Sequence, residues 1–154
     1  MEQIFCEDIE MGREYRSTDR LTTQTDLEEF AYISGDRHPL HTNAEFAATA
    51  RFGQQILHGP FGVAITMGPF AQFGEFSETC LALTNIDHSI FRHPVFIDHR
   101  IHLLTRIAST SLTKSRATVV NRNMKLINEN SKTVQEGSMG LLIAQRESPV
   151  SERH

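Results

Sequence analysis

The chain has 154 residues, 39% of them hydrophobic and 22% charged, as is typical of a single globular domain with an ordinary core. Its formal net charge of −4 offers no basic surface to nucleic acid or a membrane, and no apolar run reaches the roughly 18 residues of a transmembrane helix. The acidic N-terminus is unlike a signal peptide, and two cysteines without metal or redox spacing favour a cytoplasmic location.

The first third of the chain predicts an edge strand and two short helices. Residues 7–21 indicate the strand, after a turn at Gly12. Thr25-Asp26-Leu27-Glu28 fits a capping box and predicts the start of a helix, which Gly35 ends. A second capping box, Thr42-Asn43-Ala44-Glu45, predicts the start of the next helix. The two helices are therefore separated by one tight connection.

That connection carries a carboxylate and an imidazole. Asp36 follows the end of the first helix, His41 precedes the second, and Pro39 stiffens the turn between them. A carboxylate and an imidazole that converge on one point can hold a water molecule and move its protons. The alternative is that Asp36 is an ordinary turn residue and His41 a helix-entry residue bonded to the backbone.

A His-Gly-Pro sequence opens the most apolar segment of the chain. Pro60 favours the first position of a helix, which places Gly59 near the N-cap. Residues 60–73 are almost wholly apolar or small, so we expect this helix to be buried on all sides. A backbone N–H at the start of a helix can stabilise negative charge that develops on a carbonyl oxygen. We expect His58 to orient the loop by hydrogen bonding.

The rest of the chain predicts antiparallel strands, over residues 81–89, 91–96, 100–111, 115–127 and 133–145. Asn128-Glu129-Asn130-Ser131 indicates a hairpin turn. One buried helix followed by a run of strands implies an α+β fold in which an antiparallel sheet wraps around that helix. Residues 1–145 are thus predicted to form a single domain, and the polar residues 146–154 a C-terminal tail.

Several of these motifs together resemble a known family. Residues 30–41, with the later Phe46-Ala47, Phe52-Gly53 and Ile56-Leu57-His58-Gly59, are similar to the MaoC-like, (R)-specific enoyl-CoA hydratases, which have the hot-dog fold. Residues 91–98 are similar to the family strand that carries a Pro-Val pair. The resemblance covers about residues 5–145.

The resemblance implies a homodimer that binds an acyl-CoA thioester between its subunits and needs no cofactor beyond the CoA of the substrate. It implies that Asp36 and His41 are catalytic and hold the attacking water. It also implies that the N–H of Gly59 binds the thioester oxygen. The residues that it places at the substrate are Ser34, His38, Pro39, His58 and Met67.

Three positions depart from the family pattern. His38 stands where Asn is usual, Met67 where Ser is common, and Ile97 where Gly is usual. Because the first two positions lie near the acyl group, they count against a straight-chain enoyl substrate and leave a polar or branched acyl group open, with the itaconyl or mesaconyl type as one candidate. The candidate partners for such a carboxylate are His38, Arg37, Arg51 and Arg92.

Two other functions remain open at this point. One is a hot-dog acyl-CoA thioesterase, and the other is an acyl-CoA-binding protein without turnover. Arg92, Lys114 and Arg116 are candidates for contact with CoA phosphates. We predict no metal site, because no four-ligand zinc pattern is present and His99 and His102 would point to opposite faces of a regular strand.

Overall fold

The computed structural model describes residues 2–113 and 117–146, which form an antiparallel sheet with short helices. After a 3₁₀ turn at Cys6–Asp8, the elements are β1 Glu14–Arg16, β2 Arg20–Leu21, α1 Gln24–Ser34, α2 Pro39–Thr42, α3 Ala44–Thr49, α4 Gly59–Ile65, α5 Met67–Gln72, β3 Cys80–Phe91, β4 Arg100–Leu112, β5 Thr118–Asn128 and β6 Thr133–Ile143. The strands pair in the order β1-β4-β5-β6-β3, and β2 also pairs with β4. This arrangement confirms the predicted α+β class.

The long strands follow the alternation of their sequence. On β4, Ile101, Leu103 and Ile107 are each at most 5% exposed, as expected for side chains that share one face. The hairpin between β5 and β6 forms at the predicted turn, where the Oδ1 atom of Asn128 accepts from the N–H groups of Asn130 and Lys132 at 3.1 and 3.0 Å. The carboxamide of Asn128 thereby replaces backbone partners that the turn removes.

Two hydrophobic clusters join α4 to its surroundings. Phe61 packs with Leu27 of α1 and Leu57 of the preceding loop. Val63 and Ile65 pack against a second cluster on the sheet, formed by Leu103, Met124, Leu126, Val134 and Met139. The start of α4 is therefore fixed between α1 and the sheet.

The prediction of one continuous helix over residues 60–73, buried on all sides, is wrong. The chain forms α4 and α5 with a break at Thr66, whose Oγ1 donates to the Val63 carbonyl oxygen at 2.7 Å. Pro69 has no N–H to donate to the Ile65 carbonyl, so an uninterrupted α-helix loses a hydrogen bond there. The outward positions Pro60, Ala64 and Gly68 are exposed in the single chain. Apolar composition alone did not reveal that no element of the described residues covers this face.

The predicted strand over residues 91–96 is also wrong, because β3 extends from Cys80 to Phe91 as one strand and the chain then leaves the sheet. The N–H groups of Arg92 and His93 both donate to the Val134 carbonyl oxygen, at 2.9 and 3.2 Å. Pro94 has no N–H and cannot continue a ladder. An isolated bridge between Ile56 and Phe96 is the remaining β contact in this described segment.

Both predicted capping boxes are displaced from the observed caps. Thr23, rather than Thr25, caps α1, with its hydroxyl accepting from the Asp26 N–H at 3.1 Å. The preceding Thr22 is fully buried and donates to the carbonyl oxygens of Phe96 and His99, which fixes where the helix can begin. At α3 the cap is Asn43 rather than Thr42. Several capping residue types stand side by side in both places. A tertiary contact selects among them at α1, whereas at α3 the Thr42 hydroxyl is already bonded to the carbonyl oxygens of Arg37 and His38.

Some predictions fall outside the described residues. They concern most of the predicted tail, residues 147–154, and the candidate phosphate contacts Lys114 and Arg116. Among the helices of the described chain, none combines the length and apolar character required to cross a membrane.

Candidate active site

Local hydrogen bonds shape the connection between α1 and α2. Gly35 ends α1 in a left-handed conformation with φ of 74°, a region that glycine enters without strain. The hydroxyl of Ser34 donates to the Phe30 carbonyl oxygen at 2.6 Å and accepts from the Asp36 N–H at 3.2 Å. The Oδ1 atom of Asp36 then accepts from the His38 N–H at 3.1 Å. The carboxylate is thus oriented by its own turn.

The short helix α2 positions His41. The Nδ1 atom of His38 accepts from the Leu40 N–H at 3.2 Å and caps α2, with Pro39 as its first residue. The Nδ1 atom of His41 lies 2.7 Å from the Ile56 carbonyl oxygen. Because a carbonyl oxygen only accepts, this nitrogen carries the proton, and Nε2 of the neutral ring is left with a free lone pair. The side chain of Gln55 also donates to the His41 carbonyl oxygen, at 2.6 Å.

His58 lies beneath this connection and joins it to α4. Its side chain is buried, and its Nε2 lies 2.9 Å from the Asp36 carbonyl oxygen and 3.9 Å from the Asp36 carboxylate. Its ring stacks on His41, with centroids 3.8 Å apart and planes inclined by 23°. His58 therefore fixes the position of both candidate catalytic residues relative to the start of α4.

The protonation states suit proton transfer. The His38 N–H bond to the Asp36 carboxylate lowers the pKa of Asp36, and the nearby histidines lower it further. Burial lowers the pKa of His41, because desolvation disfavours the imidazolium. At neutral pH the site consequently pairs a carboxylate with a neutral imidazole whose Nε2 can accept a proton.

The side chains of Asp36, His41 and His58 each offer one ligand atom, and these atoms lie within 4.8 Å of one another. Such spacing is also compatible with a divalent cation. However, the Nε2 atom of His58 faces a carbonyl oxygen and must carry a proton there, so it is not a free ligand. The arrangement favours acid-base chemistry, and the absence of a metal remains a prediction.

A cleft of about 400 Å³ opens beside the first turn of α4. His58 and Gly59 line it together with Phe91 and Gln135, which come from the sheet. A Cβ atom on Gly59 would approach the Phe91 ring to 2.9 Å, so glycine permits this close contact. As the first residue of α4, Gly59 has an N–H without an acceptor within the helix.

The structure separates the other predicted site residues into three groups. Ser34, His38 and Pro39 lie on the exposed connection, within two residues of Asp36 or His41. Met67 is half-buried, packs against the core and has its sulfur 3.6 Å from Nη2 of Arg122. The remaining candidates are arginines: Arg51 and Arg92 line the cleft, whereas Arg37 borders a separate depression beside α1.

Two glutamines shape the site and were not singled out from the sequence. Gln55 holds the backbone of His41, and no sequence pattern marks it. Gln135 is 6% exposed and lines the cleft. No sequence pattern marks Gln135 either, because a polar residue directly after Val134 fits the ordinary alternation of a strand with one exposed face.

Comparison with known proteins places these features in a family context. A family model described as MaoC like domain matches residues 7–130. The chain is 38% identical over 56 residues to 3-hydroxybutyryl-CoA dehydratase of Methylorubrum extorquens, a match that spans 36% of this chain and 35% of that protein. It is 31% identical over 70 residues to Protein MaoC of Klebsiella aerogenes, spanning 46% of this chain and 21% of that protein. The matches thus cover well under two thirds of either relative.

Solved structures match over nearly the whole chain. A structure described as monoamine oxidase regulatory protein from an Archaeoglobus species superposes with a TM-score of 0.89 at 27% identity, covering 96% of this chain and 98% of that one. The R-hydratase PhaJ1 from Pseudomonas aeruginosa superposes with a TM-score of 0.74 at 22% identity, covering 99% and 97%. These likenesses confirm the hot-dog fold, with the sheet packed against α4 and α5.

Proposed function

Because the chain belongs to the MaoC like domain family, we propose that it is a hydro-lyase that adds water across the α,β double bond of a 2-enoyl-CoA thioester, or catalyses the reverse dehydration. The product of hydration is the (R)-3-hydroxyacyl-CoA. The observation that carries this proposal is the pairing of the Asp36 carboxylate with the neutral His41 imidazole within 4.8 Å, next to His58, which stacks on His41 and lines the cleft.

In the proposed reaction, the carboxylate of Asp36 and Nε2 of His41 bind one water molecule. His41 accepts a proton from this water while its Nδ1–H remains bonded to the Ile56 carbonyl oxygen. The hydroxide oxygen forms a bond to C3 of the substrate, and the π electrons move toward the thioester carbonyl. The proton held by His41 is then delivered to C2, so the elements of water are added and the imidazole is again neutral.

The N–H of Gly59 stabilises the negative charge that develops on the thioester oxygen. A backbone donor that is aimed at a developing oxyanion lowers the barrier, because it needs no reorganisation during the reaction. The Gly59–Phe91 contact supports this role, since it brings β3 against the start of α4.

The cleft also supports the finer proposal of a branched or carboxylated acyl group of the itaconyl or mesaconyl type. Arg51 and Arg92 both line it. Arg92 forms an ion pair with Glu136, whereas the guanidinium of Arg51 lies 5.8 Å from the Phe52 ring centroid. Arg51 is therefore the arginine that we propose as the carboxylate partner.

The function is tested by incubating the protein with crotonyl-, octenoyl-, mesaconyl- and itaconyl-CoA. Loss of the conjugated thioester absorbance, product mass and free thiol are measured in parallel. A gain of one water without thiol release is expected. Release of thiol would assign a thioesterase, and binding without turnover on all four thioesters would assign a binding protein.

We also propose that the protein is a homodimer that associates through β3. Within the described chain, β3 pairs only with β6, so its other edge presents unpaired backbone groups. Large apolar side chains on this strand are exposed, among them Leu81, Leu83, Ile86 and Phe91. A second copy would pair with this edge, cover these side chains and bring the partner's β3 near the cleft at Phe91.

Replacing Leu83 with Glu is expected to convert the dimer into a monomer. Leu83 is 44% exposed on β3, so the single chain tolerates the charge, whereas a paired β3 would bury it. Sedimentation velocity measures the change. Leu112→Glu is the matched control, because Leu112 is 69% exposed at the end of β4. A Leu83→Glu protein that remains dimeric would place the interface elsewhere.

The acid limb of the pH profile of kcat/KM is expected to have its midpoint below pH 6.5. Burial lowers the pKa of His41 from its usual 6.5, so the imidazole stays a neutral base to more acidic pH than a free histidine does. The measurement is kcat/KM for the best thioester, with circular dichroism at each pH to verify folding. A midpoint of the acid limb above 6.5 would show that another group is the base.

A further inference from the structure

The cleft beside Gly59 ends at a buried amide. Gln135 lies on β6 with 6% exposure and is one of the residues that line the cleft of about 400 Å³. It also lines a second cavity of only about 10 Å³, which lies on the far side among Val63, Thr66, Met124 and other residues. Of the residues that line these two cavities, Gln135 is the one they share. Its side chain is therefore the wall between them.

This wall is held in place from two sides. The Nε2 atom of Gln135 donates to the Ser89 hydroxyl on β3 at 2.8 Å. Its Oε1 atom lies against α4 at Gly62, where a Cβ atom would be only 1.9 Å away. Any side chain at Gly62 would displace the amide, so the glycine provides the space that Gln135 occupies. The amide spans the gap between α4 and β3 at the level of the first helical turn.

A fixed amide at this depth affects acyl groups of different length differently. An acyl chain whose thioester oxygen is at Gly59 extends toward Gly62, which is one helical turn further along α4. A chain of about four carbons ends before the amide. A longer alkyl tail would have to displace the carboxamide, break its bond to Ser89 and leave a buried polar group unpaired.

We propose that Gln135 terminates the acyl pocket and restricts the enzyme to short acyl groups of about four carbons, with Gly62 and Ser89 as the residues that position its amide. This inference rests on the proposed hydratase function. It is compatible with a carboxylated acyl group that has a four-carbon main chain, because Arg51 lines the same cleft.

The test compares crotonyl-CoA with 2-octenoyl-CoA on the wild type, Gln135→Ala and Ser138→Ala. The control Ser138 is on the same strand and lines neither cavity. The wild type is expected to prefer crotonyl-CoA by at least about tenfold in kcat/KM. Gln135→Ala joins the two cavities and provides space for two further methylenes. At about fourfold for each methylene, the octenoyl-to-crotonyl ratio should rise by about fifteenfold. Ser138→Ala should retain the wild-type ratio.

Two results would overturn the inference. One is a wild type that hydrates both thioesters equally well, and the other is a folded Gln135→Ala protein with the wild-type ratio. If the wild type hydrates neither thioester, the proposed function fails, but the chain-length inference can still be tested by measuring binding. Calorimetric titration of the same proteins with butyryl-CoA and octanoyl-CoA then gives the chain-length preference directly. A preference for butyryl-CoA that Gln135→Ala removes supports the inference, and equal affinities overturn it.

Discussion

Replacement of Asp36 by Asn is expected to lower kcat for hydration by about a hundred- to ten-thousand-fold, with little change in affinity for CoA thioesters. Asn retains an oxygen that can accept the His38 N–H, and the backbone carbonyl bonded to His58 is unchanged. The turn should therefore fold as before. The rate falls because a neutral amide attracts the water proton less than a carboxylate does. The amide also cannot neutralise the positive charge of the imidazolium that forms on His41.

The Asp36 variant is compared with Glu45→Gln, which removes an exposed carboxylate from the first turn of α3. We expect the control to keep its rate within about twofold, as is usual for a surface charge change. Circular dichroism and sedimentation velocity should show the same fold and assembly for both proteins. Full hydratase activity in Asp36→Asn would exclude the mechanism in which the carboxylate holds the attacking water.

Replacement of His41 by Asn is expected to lower kcat by about a hundred- to ten-thousand-fold, as the Asp36 replacement does. The Asn side chain can donate to the Ile56 carbonyl oxygen in place of Nδ1–H, so the local geometry is preserved. What it lacks is Nε2, the atom that accepts the proton from water and returns it to C2. The acid limb that His41 contributes to the pH profile should disappear with it, which a merely structural role would not cause.

His102→Asn is the matched control for the base. Burial lowers the pKa of His102 as it does for His41, but His102 lies on β4 next to Asp19, away from the cleft. Its replacement should leave both kcat and the pH profile unchanged. If His41→Asn retained the wild-type rate and profile, the base would have to be sought elsewhere, with His58 as the next candidate because its ring stacks on His41.

Much of the fold followed from local patterns. The alternation of Ile101, Leu103 and Ile107 predicted β4, and Asn128 predicted the β5–β6 hairpin, because side chains of neighbouring residues decide these features. The same approach failed at residues 60–73, where composition predicted burial but not the break at Thr66. Local patterns also misplaced both helix caps. At α1 the hydroxyl of Thr22 donates to carbonyl groups more than 70 positions away in the chain, and no local pattern reveals such bonds.

The sequence by itself placed Asp36 and His41 in one short connection, where Gly35, Ser34 and Pro39 act through bonds between near neighbours. Only the tertiary structure decided what this pair faces. The bond from His58 to the Asp36 carbonyl spans 22 positions, and Phe91 and Gln135 come from distant strands. The shape of the cleft depends on packing between elements, and no pattern of neighbouring residues encodes such contacts.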